Sequence, residues 1–160
     1  MSVSASFDLR VVRSSGKELA SQIEIIKALA NYGWSFFRGE YVCYLPYGDN
    51  DNFNWTAEII SFESFLKILE QKEKRSELIG VSMTWKNSNI DGELLIWGAE
   101  EARKNKIHTP ISFNMAANRK RFISQNNYEI TDVNWYMEKL LPALNQNGMY
   151  VEYFSYEEYD

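Results

Sequence analysis

The chain has 160 residues, 45% hydrophobic and 24% charged, the balance of a folded globular protein with enough length to bury one core. Its formal net charge of -5 argues against a general nucleic-acid binder, which needs a basic surface to neutralise phosphates, and fits a basic protein partner instead. One Cys and one His exclude a Cys/His metal cluster, and no apolar run is long enough to cross a bilayer. Met1 to Asp8 lacks a cationic start followed by an apolar stretch, so the expected compartment is the cytoplasm, with no membrane partner.

Taken in chain order, Phe7 to Val12 reads as a short strand, and Ser15-Gly-Lys-Glu18 reads as a capping box opening a helix. Leu19, Ile23, Ile26 and Ala30 form that helix's apolar face, and Asn31-Tyr-Gly33 stops it. Trp34 to Phe37 and Tyr41 to Leu45 form a hairpin turning at Gly39, and Pro46 ends its second strand. A loop follows from Tyr47 to Asn54. The second helix begins near Ser61 with Phe62, Phe65, Leu66 and Leu69 on one face, and its charged end, Glu70 to Ser76, reads as a solvated last turn. Ile79, Val81, Met83 and Trp85 alternate with Gly80, Ser82 and Thr84, which is the period of a half-buried strand. The turn Asn87 to Gly92 is too short for a crossover helix, so Leu94 to Trp97 pairs antiparallel with that strand.

Ile107 to Met115 is a further strand, with Pro110 pointing to an edge position or an irregularity. Thr131-Asp132 caps a third helix through Val133, Met137, Leu140, Leu141 and Leu144, tightened or kinked by Pro142 and closed at Asn147-Gly148. Met149 to Tyr156 is the last strand, before the acidic end Glu157 to Asp160. The order β-α-β-β-α-β-β-β-α-β predicts an α+β fold: a mostly antiparallel sheet with about three helices over one face. No repeat, low-complexity tract or linker divides it, so 1–160 reads as one domain.

Catalytic constellations are missing from this pattern. His108 stands alone, and Cys43 lies in the apolar run Tyr41 to Leu45, where a buried thiol is the expected state. Asp49 and Asp51 mimic the start of a calcium loop, but Phe53 takes the third ligand position and Ile60 stands where a bidentate Glu belongs. Ser14-Ser-Gly-Lys17 lacks the earlier glycine of a phosphate-binding loop and has Glu18 where the hydroxyl residue belongs. Asn118-Arg-Lys-Arg121 is the one compact basic cluster, read as a solvated loop. Glu100-Glu101 and Glu157-Glu158 are neighbours that regular structure would splay apart. The expectation is therefore a protein with no catalytic residues, cofactor or metal.

One segment exceeds what a core requires: Tyr44-Leu-Pro-Tyr-Gly-Asp-Asn-Asp-Asn-Phe-Asn-Trp55 concentrates acids, amides and aromatics. Ten Tyr and five Trp are more than a core of this size hides, and both residues favour interfaces. The segment, with the acidic, Trp/Tyr-rich α+β build around it, resembles small bacterial immunity proteins of polymorphic-toxin systems. That resemblance implies a non-enzymatic domain that binds a cognate toxin, often a nuclease with a basic cleft, and blocks it by occlusion. The candidate partner-binding residues are Tyr47, Asp49, Asp51, Phe53 and Trp55: carboxylates to steer encounter and aromatics to slow dissociation. The alternative is a small enzyme or ligand-binding domain with an aromatic-lined pocket and carboxylates such as Glu58 or Glu93.

Overall fold

Alternating apolar and polar residues along the central strands give the main sheet one dry face and one wet face. In the computed structural model, which describes residues 4–16, 18–100, 108–115, 117–123, 125–126 and 129–159, this sheet has nine strands. The strands are β1 (Ser4–Arg13), β2 (Trp34–Ser35), β3 (Phe37–Arg38), β4 (Tyr41–Tyr44), β5 (Thr56–Ile59), β6 (Ile79–Trp85), β7 (Asp91–Ile96), β8 (Thr109–Met115) and β11 (Met149–Tyr159). A separate hairpin pairs β9 (Arg121–Ile123) with β10 (Glu129–Thr131). The sheet order is β11-β1-β8-β7-β6-β4-β3, with β2 beside β6 and β5 beside β4. Its ladders are antiparallel, as expected for an α+β fold, and β6 and β7 are neighbours, from Ile79 opposite Ile96 to Thr84 opposite Asp91.

Three helices, α1 (Gln22–Tyr32), α2 (Phe62–Lys74) and α3 (Val133–Asn145), cover the dry face. Phe7, Leu9, Val81, Met83, Leu94, Ile96, Ile111 and Phe113 point into this core and meet Ile23, Ile26, Leu29, Phe65, Leu69, Tyr136, Leu140 and Leu144 from the helices. Phe113 is fully buried and stacks on Trp34 and Tyr136, with ring centroids 5.8 Å apart in each pair. Pro142 removes the amide that would have bonded the Glu138 carbonyl, and the Tyr32 hydroxyl donates to that carbonyl instead, at 3.3 Å.

Several expectations need correction. Helix α1 begins six residues later than the Ser15 box implies: Ser21 is the cap, accepting from the Glu24 amide, while Lys17 lies outside the described residues. Leu19 and Ala20 lie outside the helix, and the Thr109 hydroxyl donates to the Ala20 carbonyl. Phe62 is exposed at the first turn of α2, so that helix's apolar stripe begins at Phe65. Pro110 lies in a strand flanked by β1 and β7, not at an edge. It sits one residue from the start of β8, and its carbonyl accepts from the Trp97 amide at 3.1 Å. Glu157 to Tyr159 continue β11, and β5, β9 and β10 are additional strands. Ile107 and Glu101 lie outside the described residues. No described helix is long and apolar enough to cross a membrane.

Candidate functional site

Loop 45–55 joins β4 to β5 beside the C-terminal turn of α2, and its two ends, Leu45 and Trp55, pack on the wet face of the sheet. Gly80 makes room for it, because a Cβ there would sit 2.6 Å from the Leu45 side chain. Leu45 therefore rests on the sheet, with its amide bonded to the Gly80 carbonyl, and joins Leu78 and Leu95 in a satellite cluster packed by Trp55 and Trp97. Trp55 is half-buried on this cluster, so its ring ties the end of the loop to the sheet.

Buried polar side chains hold the rest of the loop. Lys72, on α2, is fully buried, and its Nζ donates to the Leu45 and Pro46 carbonyls at 2.8 Å each. Glu77, 5% exposed, stands 3.9 Å from that ammonium and accepts from the Gly48 amide. The charged end of α2 is thus not wholly solvated: Lys72 reaches back under the loop. Burial pushes the Lys72 pKa down, with Glu77 and Asp49 opposing. Pro46 to Asp49 close a turn through the Asp49 amide and Pro46 carbonyl at 3.2 Å, with Gly48 at a φ of 78°, which suits the third position of a type II turn.

Asp49 is only 5% exposed. One carboxylate oxygen accepts from the amides of Asn52 at 2.9 Å and Phe53 at 3.0 Å, and the other from Asn54 at 2.6 Å. Burial pushes this carboxyl up, but the amides of Asn54, Phe53 and Asn52, with Lys72 behind them, outweigh it and hold the pKa below the usual carboxylate value. Asn50 contributes a further tie, accepting from the Leu78 amide at 2.8 Å.

The side chains left outside are Tyr47, 46% exposed, and Phe53, 44% exposed, together with exposed Asp51, Asn52 and Asn54. The Arg75 guanidinium lies over the Tyr47 ring at 5.3 Å. Phe53 adopts a φ of 54°, a left-handed conformation uncommon for a bulky residue, and the Asp49 carboxylate holds its amide there. Of the five candidates, Tyr47, Asp51 and Phe53 are therefore displayed, Asp49 shapes the loop from within, and Trp55 anchors it to the sheet. Sequence reading missed Lys72 and Glu77 as parts of this site, since both lie in a charged run.

The remaining candidates are dispersed. Glu58 accepts from the Tyr44 hydroxyl, whose pKa is raised by burial and by that carboxylate. His108 Nε2 lies 2.8 Å from Glu152, and two strands separate β8 from the β4 strand that carries Cys43. Arg119 is buried rather than solvated, with its Nε 3.0 Å from the Thr131 hydroxyl and 3.7 Å from Glu158. Among the described residues, no group of three or more His, Cys, Asp or Glu side chains is placed to hold a metal ion. Compared with known proteins, the chain matches no family model, no curated sequence and no solved structure.

Proposed function

We propose that this chain is a non-enzymatic protein-binding domain of the immunity type, which neutralises a cognate bacterial toxin by occluding its active or binding surface. The observation that carries this reading is the construction of the loop: three buried charged side chains, Lys72, Glu77 and Asp49, fix a backbone whose outer side displays Tyr47, Asp51 and Phe53. Burying charges is costly, and these make no contact with the outside. What the arrangement provides is a loop that loses little entropy on binding. Exposed aromatics beside a carboxylate suit a basic partner such as a toxin nuclease domain.

The test is co-expression with the toxin-like product of an adjacent gene, scoring growth rescue and measuring the affinity of the purified pair. The triple variant Tyr47→Ala/Asp51→Lys/Phe53→Ala should fold and lose rescue. Full rescue and unchanged affinity in that variant would remove the loop from the interface. A ligand-binding reading draws support from a recess of about 410 Å³ on the same molecule, lined by Phe37, Trp85, Lys86, Asn87 and Asn118 among others. Saturable binding of a small molecule there, with no protein partner, would favour it.

A further inference from the structure

The wet face carries one buried acceptor that the fold leaves incomplete. Asp91 is 7% exposed, and one carboxylate oxygen is paired with the Arg38 guanidinium while the other has no hydrogen-bond partner. A buried acceptor without a donor is costly, and an N–H group is what it lacks. Asp91 lines a recess of about 300 Å³ together with Arg38, Tyr41, Cys43, Ser82 and Glu93. That volume is at the small end for ligand pockets and suits a single side chain.

Glu93 follows two residues along β7, so it projects from the same face as Asp91. Its carboxylate has no ion-pair partner among the described residues, and partial desolvation raises its pKa although the residue is exposed. Two carboxylates against one guanidinium leave the recess one negative charge in excess. Tyr41, exposed at the rim, offers an aromatic face, and Arg38 has a side chain 65% exposed and thus room to turn outward from Asp91. A planar guanidinium can stack on a ring while donating in two directions, which a lysine ammonium does less well.

We infer that this recess receives an arginine side chain of the protein partner, stacked on Tyr41 and donating to Glu93 and, once Arg38 turns outward, to the Asp91 carboxylate. The inference rests on reading the wet face as the partner surface. The recess is continuous with the loop's footing: Cys43, Ser82 and Glu93 each lie two residues along their strands from Leu45, Gly80 and Leu95.

Cys43 is the chain's single cysteine and lines the recess, so its alkylation rate with iodoacetamide reports occupancy without any partner. With n-butylguanidinium as the probe, alkylation should slow saturably, and n-butylammonium at equal ionic strength should protect less. Glu93→Gln, at an exposed position, should keep the thermal midpoint and weaken the apparent affinity about tenfold, the loss of one charge-assisted hydrogen bond. Tyr41→Leu should weaken it as well. Equal protection by sodium chloride or by butylammonium, or unchanged protection in Glu93→Gln, would overturn the inference. Because the probe contains no partner, guanidinium protection combined with loop variants that still rescue growth would refute the binding-loop reading and leave the recess standing. Failure of the probe with sensitive loop variants would do the reverse.

Discussion

The two faces of the sheet use the same strands for opposite purposes. Along β8, Ile111, Phe113 and Met115 are buried under the helices, while Ser112 and Asn114, one residue away, lie on the wet face, where Ser112 donates to Asp8. The dry face holds itself together by apolar area and ring packing. The wet face, on which the ends of loop 45–55 pack, relies on a small apolar cluster, with buried charges from the end of α2 and from Glu77 holding the loop beside it. Stability in the first is spread over many contacts, whereas the second concentrates its organisation in a few polar side chains. The display of Tyr47 and Phe53 depends on that concentration.

The largest effect should come from the dry face. Phe113→Ala should cost about 3–5 kcal/mol in denaturant unfolding, because the surrounding rings cannot collapse into the space. Asn114→Ala, its neighbour on the other face, should stay within about 0.5 kcal/mol. Comparable losses at both positions would erase the distinction between the faces.

On the wet face the largest loss should follow Lys72→Met, on the order of 3 kcal/mol, since two carbonyls lose their donor and buried Glu77 keeps only the exposed Arg75 as its cation, 3.7 Å away. Adding Glu77→Gln should recover part of it, and a double-mutant cycle measures the coupling. Additive losses would mean that the two residues act separately. Trp55→Ala should be milder, about 2 kcal/mol, because the ring is only half-buried on Leu45, Leu78 and Leu95.

Much of the dry face can be read from residue order. The strict alternation from Ile79 to Trp85 has no competing helical period, and β6 runs over that same span. Asp132 caps α3 as read, since an acid just before an apolar helical stripe has few other uses. The start of α1 was ambiguous because Ser15 and Ser21 are each followed three residues later by Glu, and the tie is broken by distant contacts: Thr109 to the Ala20 carbonyl, Ser21 to Glu73, and Gln22 to the Glu77 and Ile96 carbonyls. β5 was illegible because Ala57, Glu58 and Ile59 are all exposed and its strand character comes from pairing with β4. Lys72 and Glu77 were hidden for a similar reason: among lysines and glutamates of identical local pattern, only the tertiary fold decides which pair is buried. The loop's composition signalled an unusual segment, but which of its acids faced inward depended on backbone amides that a sequence does not arrange by type.

Acid should separate the two faces further. The folded-state pKa of Asp49 is depressed, so its contribution is present above the ordinary carboxylate pKa and is lost as pH falls through the lower folded value. Hydrogen exchange at the amides of Asn52, Phe53 and Asn54 should therefore accelerate at acid pH, after correction for intrinsic rates, before protection in β6 and β7 is lost. Simultaneous loss would mean that the loop has no separate transition.

The smallest stability effect and the largest functional one should coincide at Phe53. Its left-handed backbone is strained by roughly 1 kcal/mol for a residue bearing a Cβ, a strain that glycine does not feel. Glycine also gains freedom in the unfolded chain, which offsets about 0.5–1 kcal/mol of that relief. Since the exposed ring contributes little to the fold, Phe53→Gly should leave the unfolding free energy within about 0.5 kcal/mol of the parent. If the ring is displayed for a partner, the same change should weaken partner binding by about 2 kcal/mol, the scale of an interface hot spot. Phe53→Asn, a residue that tolerates the same conformation, controls for backbone effects and should bind as weakly as Phe53→Gly. Normal binding in both variants would show that the strained residue is a consequence of the Asp49 turn rather than a contact the turn exists to present.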